Sequence, residues 1–233
     1  MRRLFIFFDL GQTLIDESDF IARFDQKFLE LLNGFGARID QRNYRAVRDS
    51  IIRDRKVGHG GVRELVIEVC RTLLPPGYEK AIAARLDPQI KQGRRDLFRF
   101  FDDAEPTLEA LSKHCEMGLI ANQSEDIHEL LEKSGLGRFF KVQAISSSMK
   151  LKKPDPRIFE LALRQAGHPA LDCIMVGDRI DTDICPARKL GMTTIRTTNS
   201  LFALQLPAQE CEHATYTVTH LSEIPKIVES IIS

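Results

Sequence analysis

The sequence has no tryptophan, only three tyrosines and no excess of charge of either sign. Its 33 lysine and arginine residues balance 33 aspartate and glutamate residues, so the formal net charge is zero. A balanced surface generates no global field that would attract nucleic acid or an anionic membrane. We therefore expect neither as a partner.

Long hydrophobic runs are also missing. No stretch approaches the roughly 18 consecutive apolar residues of a membrane span. The first apolar run, residues 4–8, is too short for the core of a signal peptide and stops at Asp9. These absences predict a cytoplasmic protein.

Cysteines are few and scattered, with no C-x-x-C pair. An odd, widely spaced set favours free thiols and a reducing compartment over a disulfide framework. The five are Cys70, Cys115, Cys173, Cys185 and Cys211.

Short apolar runs alternate with helical patterns over most of the 233 residues. Runs of this length suit strands that are buried on both faces of a parallel sheet. Helical patterns with plausible ends separate the later runs; in 155–167, for example, Asp155 suits the N-cap and Gly167 the C-terminal stop. This alternation predicts an α/β fold with a doubly wound, Rossmann-like parallel sheet. The predicted strands are residues 4–8, 117–121, 142–145, 173–176 and 193–195, and the predicted helices between them are 105–114, 126–135, 155–167 and 181–191.

One interval is too long for this scheme. The first strand ends at residue 8 and the second begins at 117, whereas a βαβ unit takes about 30 residues. Apolar stripes at helical spacing fill the interval. We therefore predict a helical domain at 16–97, inserted into a core domain of residues 1–15 and 98–233. The stripes are Phe20, Phe24, Phe28 and Leu31; Tyr44, Val47 and Ile51; and Leu65, Val69 and Leu73.

Basic residues cluster within the insert, at 53–56 and at Arg42, Arg45 and Arg48. Such a cluster could recognise an anionic substrate. More commonly, it is the solvated face of a helix.

Polar side chains follow the predicted strands where ligands bind in open α/β sheets, outside the carboxyl ends. Asp9 follows the first strand, and Lys153 comes after the third. Clustered carboxylates repel one another, whereas a divalent cation and a lysine remove that difficulty. Oxygen ligands suit Mg²⁺, which binds few carboxylates together with waters and a phosphate. The other candidates are Asn122, Gln123 and Ser124 after the second strand, and Asp178, Asp181 and Asp183 after the fourth.

Four segments in this order resemble the haloacid dehalogenase superfamily of hydrolases: FFDLGQTL, GLIANQ, KKPDP and VGDRIDTDI. The helical insert resembles the C1-type cap of that family. The resemblance covers nearly the whole chain and implies a phosphatase that acts on a small phosphorylated metabolite.

The resemblance also implies residue roles. Asp9 is the nucleophile that forms an aspartyl-phosphate, Lys153 neutralises charge at the phosphate, and Thr13 steadies the first loop. Asp9, Asp178 and the backbone carbonyl of Gly11 hold Mg²⁺, and Asp183 supports the metal site. Asn122, Gln123, Ser124 and Lys153 are the expected phosphate contacts. Asp181 is expected only to charge a helix N-terminus favourably.

Two positions depart from the family pattern. Gly11 stands where the phosphatases carry a second aspartate, the general acid and base, whose loss typically forfeits about 10²–10⁴ in rate. Ala121 stands where they carry a phosphate-binding hydroxyl, a loss of about 1 kcal/mol. Asp16, Glu17 or His59 could supply the proton instead, and Gln123 or Ser124 the hydrogen bond.

Three functions are compatible with this set. A Mg²⁺-dependent phosphatase agrees with the nucleophile, the lysine and the acids. A haloacid dehalogenase also lacks the second aspartate, but it uses no metal and has no need of Asp178 and Asp183. A non-catalytic binding protein with the same fold would tolerate both departures.

Overall fold

A computed structural model describes residues 4–232, without the side chains of Gln89, Arg94 and Arg95. Residues 1–3 and 233, at the outer limits of the predicted core domain, lie outside this description. Within it, the strands are β1 (Phe5–Phe8), β2 (Ile15–Asp16), β3 (Arg99–Phe100), β4 (Glu116–Ala121), β5 (Phe140–Ile145), β6 (Cys173–Gly177), β7 (Thr193–Thr197) and β8 (Tyr216–Val218). The α-helices are α1 (Ser18–Gly34), α2 (Gln41–Arg53), α3 (Val62–Leu73), α4 (Glu79–Leu97), α5 (Ala104–Ser112), α6 (Ile127–Ser134), α7 (Ser146–Met149), α8 (Pro156–Ala166), α9 (Cys185–Lys189) and α10 (Ile224–Ile232).

The main sheet has the order β5-β4-β1-β6-β7-β8, and its paired strands are parallel. All four residues of β1 are buried because β1 lies between β4 and β6. This explains why its sequence is apolar without alternation. The predicted α/β fold with a parallel Rossmann-like sheet is confirmed, and each of the five predicted strands overlaps a strand of this sheet.

Two further features differ from the prediction. The edge strand β8 was not predicted, because its three residues include only one buried apolar side chain, Val218. The predicted helix 181–191 is a π-helical turn, Ile180–Ile184, followed by the short helix α9. In the turn, the N–H groups of Asp183 and Ile184 both donate to the carbonyl of Arg179.

The described residues form two compact units. The core unit comprises residues 4–16, Phe100–Ala203 and residues 207–232. The helical unit comprises Glu17–Arg99 and Leu204–Leu206. That the helical unit serves as a cap stays a prediction.

The helical unit has an apolar interior and one buried ionic cluster. Helix α1 buries Phe20, Phe24, Phe28 and Leu32. Asp25, on the same helix, accepts hydrogen bonds from the Tyr44 hydroxyl (2.7 Å) and from Arg48. Arg48 therefore does not belong to a solvated basic face, because it is only 7% exposed and pairs with this carboxylate.

The cysteine prediction was wrong in one respect. Cys185, at the start of α9, forms a disulfide with Cys211, although 26 positions separate them in the sequence. Folding brings the two thiols together, which spacing alone could not indicate. Cys70, Cys115 and Cys173 are free and buried. Within residues 4–232, no helix combines the length and apolar character of a membrane crossing.

Candidate active site

Strand β1 delivers Asp9 to the centre of the sheet's carboxyl edge. Phe8, the last residue of β1, is in register with Leu119 on β4 and Val176 on β6. The N–H of Asp9 donates to the carbonyl of Val176 (2.9 Å) and extends this pairing by one residue. Asp9 therefore lies near the carboxyl ends of the two flanking strands, β4 and β6.

A tight turn follows Asp9. The carbonyl of Leu10 accepts from the N–H groups of Leu14 (2.9 Å) and Ile15 (2.8 Å), and Gln12 adopts a positive φ of 54°. Thr13 is 1% exposed, and its hydroxyl has no hydrogen-bond partner among the described residues. The turn keeps the backbone of Gly11 close to Asp9.

Lys153 joins two of the carboxylates. Its Nζ lies 2.6 Å from Oδ1 of Asp9 and 2.6 Å from Oδ1 of Asp183, and the residue is only 2% exposed. Burial alone would lower the pKa of Lys153, but the two carboxylates outweigh it and raise that pKa. Lys153 is therefore a fixed cation beside Asp9.

Asn122 holds this lysine in place. Its side-chain amide donates to the carbonyl of Lys153 (2.9 Å), and its side-chain oxygen accepts from the N–H of Lys153 (2.8 Å). Both polar groups of Asn122 therefore engage the backbone of the β5–α8 loop. The phosphate contact expected of Asn122 stays a prediction.

The other two residues after β4 are placed differently. The Ser124 hydroxyl donates to Asp126 at the exposed start of α6, and the Gln123 carbonyl accepts from the Ser146 hydroxyl (3.2 Å). Ala121, the last residue of β4, is fully buried. Phosphate binding by Gln123 or Ser124 stays a prediction.

Asp178 lies directly after β6 and is one of the three buried carboxylates of the site. It is 2% exposed, and its Oδ2 has no hydrogen-bond partner among the described residues. Burial, followed by the nearby charges of Asp183 and Asp9, raises the pKa of Asp178 well above its ordinary value. The nearby charge of Arg179 and a hydrogen bond from Ser200 oppose this rise in pKa without outweighing it.

Asp183 is fully engaged by contrast. Its Oδ1 accepts from Lys153, and its Oδ2 accepts from the N–H of Arg179 (3.0 Å). Burial raises the pKa of Asp183 to about 6, although Lys153 opposes that rise. The π-helical turn directs this side chain inward, so Asp183 holds Lys153 and the loop that carries Asp178.

Gly177 allows this arrangement. A Cβ atom at Gly177 would lie 2.5 Å from Cβ of Asp183, well inside any tolerated contact. Sequence reasoning had not singled out this glycine, although it stands directly before Asp178 in the VGD triplet.

Three further residues brace the site and were also missed. Arg196 is buried and donates to the carbonyls of Asp178 (3.3 Å) and Phe202 (2.8 Å). Arg179 pairs with Asp181 (3.0 and 2.7 Å) and lies 4.1 Å over the ring of Phe202. The Gln12 side chain accepts from the N–H of Leu201 (2.8 Å). The contacts Arg196–Asp178, Arg179–Phe202 and Gln12–Leu201 join segments that are distant in sequence.

The cluster fits a small, hard cation. One oxygen from each of Asp9, Asp178 and Asp183 lies within 4.8 Å of the others, and all three residues are buried. Lys153 is the cation in direct contact with two of them, so negative charge is in excess. Oδ2 of Asp178, which has no hydrogen-bond partner among the described residues, is an oxygen ligand of the kind that Mg²⁺ prefers.

Comparison with known proteins identifies the family. A family model described as haloacid dehalogenase-like hydrolase matches residues 6–197. The chain belongs to this family. The hydrolase is 26% identical to a glyceraldehyde 3-phosphate phosphatase of Methanocaldococcus jannaschii, over 97% of both chains. It is also 26% identical to the pyrimidine 5'-nucleotidase YjjG of Escherichia coli, over 96% of both.

A solved structure extends the likeness to the fold. The crystal structure of a predicted phosphoglycolate phosphatase from Haemophilus somnus superposes with a TM-score of 0.72 at 18% identity. The match covers 98% of the hydrolase and 99% of that chain. At this identity the likeness concerns the fold alone.

Proposed function

We propose that this hydrolase is a Mg²⁺-dependent phosphatase that removes phosphate from a small phosphorylated metabolite, with Asp9 as nucleophile. The observation that carries the proposal is the contact of the buried Lys153 ammonium with Asp9, beside a carboxylate, Asp178, whose Oδ2 is unpaired. Two relatives that align with nearly the whole chain are named as phosphatase and nucleotidase, which supports the reaction class.

Asp9, Asp178 and the backbone carbonyl of Gly11 would hold the ion, with Asp183 orienting the loop behind them. When bound, Mg²⁺ would neutralise part of the charge on the phosphate and on the carboxylates around it. Asp183 is a poor direct ligand because its two oxygens are already engaged by Lys153 and the N–H of Arg179.

The chain's own residues supply the covalent chemistry. Lys153 holds Oδ1 of Asp9 and neutralises the approaching phosphate, which leaves Oδ2 as the attacking oxygen. Attack forms a bond from Asp9 to phosphorus and breaks the ester bond, whose electron pair goes to the leaving oxygen. Water then attacks the same phosphorus, releases inorganic phosphate and regenerates Asp9.

The weak point is the proton for the leaving oxygen. Gly11 has no side chain to provide it. An aryl leaving group is stable without a proton, whereas an alkyl leaving group is not. We therefore expect turnover of aryl phosphates and slow turnover of alkyl phosphates.

Gly11 and Ala121, which replace two functional side chains of the family pattern, also favour a second candidate. This candidate is a binding protein that keeps the site but does not hydrolyse a substrate. The two candidates differ in one measurable property: the binding protein would bind Mg²⁺ and phosphate esters without releasing phosphate. A dehalogenase would not require the buried acids Asp178 and Asp183.

The test compares the parent with Asp9→Asn and with Asp181→Asn as the matched control. Release of phosphate from an aryl phosphate is measured with and without Mg²⁺. Asp9→Asn is expected to lower turnover by about 10⁴-fold or more, because the nucleophile is lost. Asp181→Asn removes the same charge as Asp9→Asn, but from a residue that pairs with Arg179. We expect this variant to keep most of the parent's turnover. Equal turnover of Asp9→Asn and the parent, or turnover that is indifferent to Mg²⁺, would rule the proposal out.

A further inference from the structure

The disulfide lies next to the acid turn. Cys185 begins α9 immediately after the Ile180–Ile184 turn that carries Asp183. Cys211 lies in a short 3₁₀ turn, Glu210–Glu212. The bond therefore connects the end of the acid turn to the C-terminal part of residues 199–213, which we call the bracing segment.

The other end of the bracing segment contacts both catalytic loops. The N–H of Leu201 donates to Gln12, which lies on the turn after Asp9. Phe202 accepts from Arg196 through its carbonyl and packs its ring against Arg179, the neighbour of Asp178. The segment is thus tied to the site by polar contacts at one end and by the disulfide at the other.

A second tie beside the disulfide is weaker. Arg188 donates to the carbonyl of His213 (2.7 Å) and approaches Glu210 (3.6 Å), whose side chain is 89% exposed. Exposed ion pairs contribute little. The covalent bond is therefore the stronger of these two ties.

Among the five cysteines, Cys185 and Cys211 are the ones placed for thiol–disulfide exchange. Burial raises the pKa of the Cys70 and Cys115 thiols to about 11 and that of Cys173 to about 12, so these three stay protonated and inert. Cys211 is partly exposed, whereas Cys185 is 9% exposed. An incoming thiolate therefore reaches the sulfur of Cys211 more readily.

We propose that Cys185 and Cys211 form a reversible redox site, reduced by a dithiol, that controls how firmly the bracing segment holds the loops of Asp9 and Asp178. A thiolate of the dithiol attacks Sγ of Cys211, the disulfide breaks, and Cys185 leaves as a thiolate that takes up a proton. The second thiol of the reductant then attacks the reductant sulfur that is bonded to Cys211. This step closes the disulfide of the reductant and releases Cys211 as a thiol.

The exchange balances. Two electrons and two protons pass from the dithiol to the two cysteines, and the reductant becomes a disulfide. An oxidised dithiol of the same class reverses the reaction. Reduction leaves Leu201 and Phe202 with their polar contacts but frees the end at Cys211, so the segment opens locally more often.

We expect a more mobile bracing segment to affect the proposed metal site, because Leu201 and Phe202 contact Gln12, Arg179 and Arg196. We expect Mg²⁺ to bind about tenfold more weakly to the reduced protein, within the usual range of coupling between two sites. This part rests on the proposed function, whereas the exchange chemistry does not.

The experiment uses the full chain in oxidised form and after treatment with dithiothreitol, without denaturant. Thiols are counted by alkylation and mass measurement, and amide hydrogen exchange is followed in 199–213 and 178–184. Mg²⁺ affinity is measured by calorimetry. The Cys185→Ala/Cys211→Ala double variant reproduces the reduced state, and Cys70→Ala is the control for a buried thiol outside the pair.

We expect two additional alkylated thiols after reduction, at least about fivefold faster exchange in both segments, and the same exchange in the double variant whatever the reductant. Cys70→Ala should respond to reductant as the parent does. A disulfide that is reduced only after unfolding, or exchange rates that are equal in both redox states, would overturn the proposal. If the segments loosen on reduction but neither form binds Mg²⁺, the proposed function fails while the redox site stands.

Discussion

The two units each contain a buried ionic cluster, and the clusters differ in their balance of charge. In the helical unit, one carboxylate, Asp25, is matched by Arg48 and by the hydroxyl of Tyr44. In the core unit, three buried carboxylates meet Lys153, which contacts only two of them. The carboxylate of the first cluster has a cation in direct contact, whereas in the second Lys153 does not contact Asp178.

This difference separates a structural cluster from a functional one. A satisfied buried pair fixes the packing of two helices and requires nothing from outside. A cluster with excess negative charge costs folding energy unless a ligand completes it, so such a cluster is a candidate binding site. Burial alone does not distinguish the two, because Asp25 is 3% exposed and Asp178 is 2% exposed.

The largest expected effect comes from adding one more acid to the core cluster. Gly11→Asp places a carboxylate where the family's phosphatases carry their general acid. If the negative excess serves phosphoryl transfer, turnover of an alkyl phosphate should rise by up to about 10²–10⁴, and that of an aryl phosphate by less. Steady-state rates on matched alkyl and aryl esters measure this.

Gly11→Asn is the control for that variant, since it adds a side chain of equal size that donates no acidic proton. Folding and Mg²⁺ affinity are checked alongside. A folded, metal-binding Gly11→Asp protein with no gain over Gly11→Asn on the alkyl ester would mean that the proton comes from elsewhere or that the protein is not a phosphatase.

Removing the acid from the helical cluster should have the next largest effect. Asp25→Ala leaves Arg48 buried without its main partner, a defect that costs about 3–5 kcal/mol. Because Arg48 keeps its contacts to Asp49 (2.9 and 2.7 Å), we expect the lower end, about 3 kcal/mol. Urea unfolding measures the loss. A change below about 0.5 kcal/mol, the range of ordinary surface substitutions, would contradict the structural assignment of this cluster.

Metal binding should act on the core cluster alone. Mg²⁺ at 100 times its dissociation constant should raise the free energy of unfolding of the parent by about 2.7 kcal/mol. Asp178→Asn should lose this gain yet be no less stable than the parent without metal, because a repelling charge has been removed. Asp181→Asn should keep the gain. Stabilisation of Asp178→Asn by Mg²⁺ to the same extent as the parent would contradict the role of Asp178.

The smallest effect concerns pH in the helical unit. Burial raises the pKa of Asp25 above its ordinary value of 3.8, although Tyr44 and Arg48 oppose the rise. The folded state therefore binds this proton more tightly than the unfolded state. Its contribution to stability is complete below the unfolded pKa and is lost as the pH rises through the folded pKa.

Asp25→Asn should remove that part of the pH dependence. Thermal midpoints of parent and variant, measured from pH 3 to pH 7, should diverge as the pH rises, with the parent losing the more stability. Parallel curves would show that Asp25 titrates alike in the folded and unfolded states.

Local signals in the sequence predicted the core well. Asp155 accepts from the N–H of Arg157 at the start of α8, and Gly167 ends that helix with a positive φ of 72°, as its position indicates. The apolar runs located the four inner strands and the edge strand β5, because parallel strands in this sheet are largely buried on both faces. For the candidate site, the carboxyl-end rule selected Asp9, Lys153, Asp178 and Asp183, which the structure brings together.

The features that were missed depend on tertiary contacts. The Cys185–Cys211 bond and the burial of Arg48 join segments that no local pattern relates. Residues 181–191 were predicted as one helix because Gly191 is a plausible helix stop, whereas the hydrogen bonds to the Arg179 carbonyl impose a π-helical turn at the start. Edge strand β8 is too short to show periodicity.

The place of β1 in the sheet has a consequence for synthesis on the ribosome. β1 leaves the exit tunnel first, but its neighbours are residues 116–119 and 173–176. At about 5–20 residues per second, the second neighbour follows roughly 10–30 s later. Until β6 is made, one side of β1, FIFF, has no strand partner. The strand that precedes Asp9 is thus the first strand of the main sheet to be made, and of the six it waits longest for its full set of neighbours.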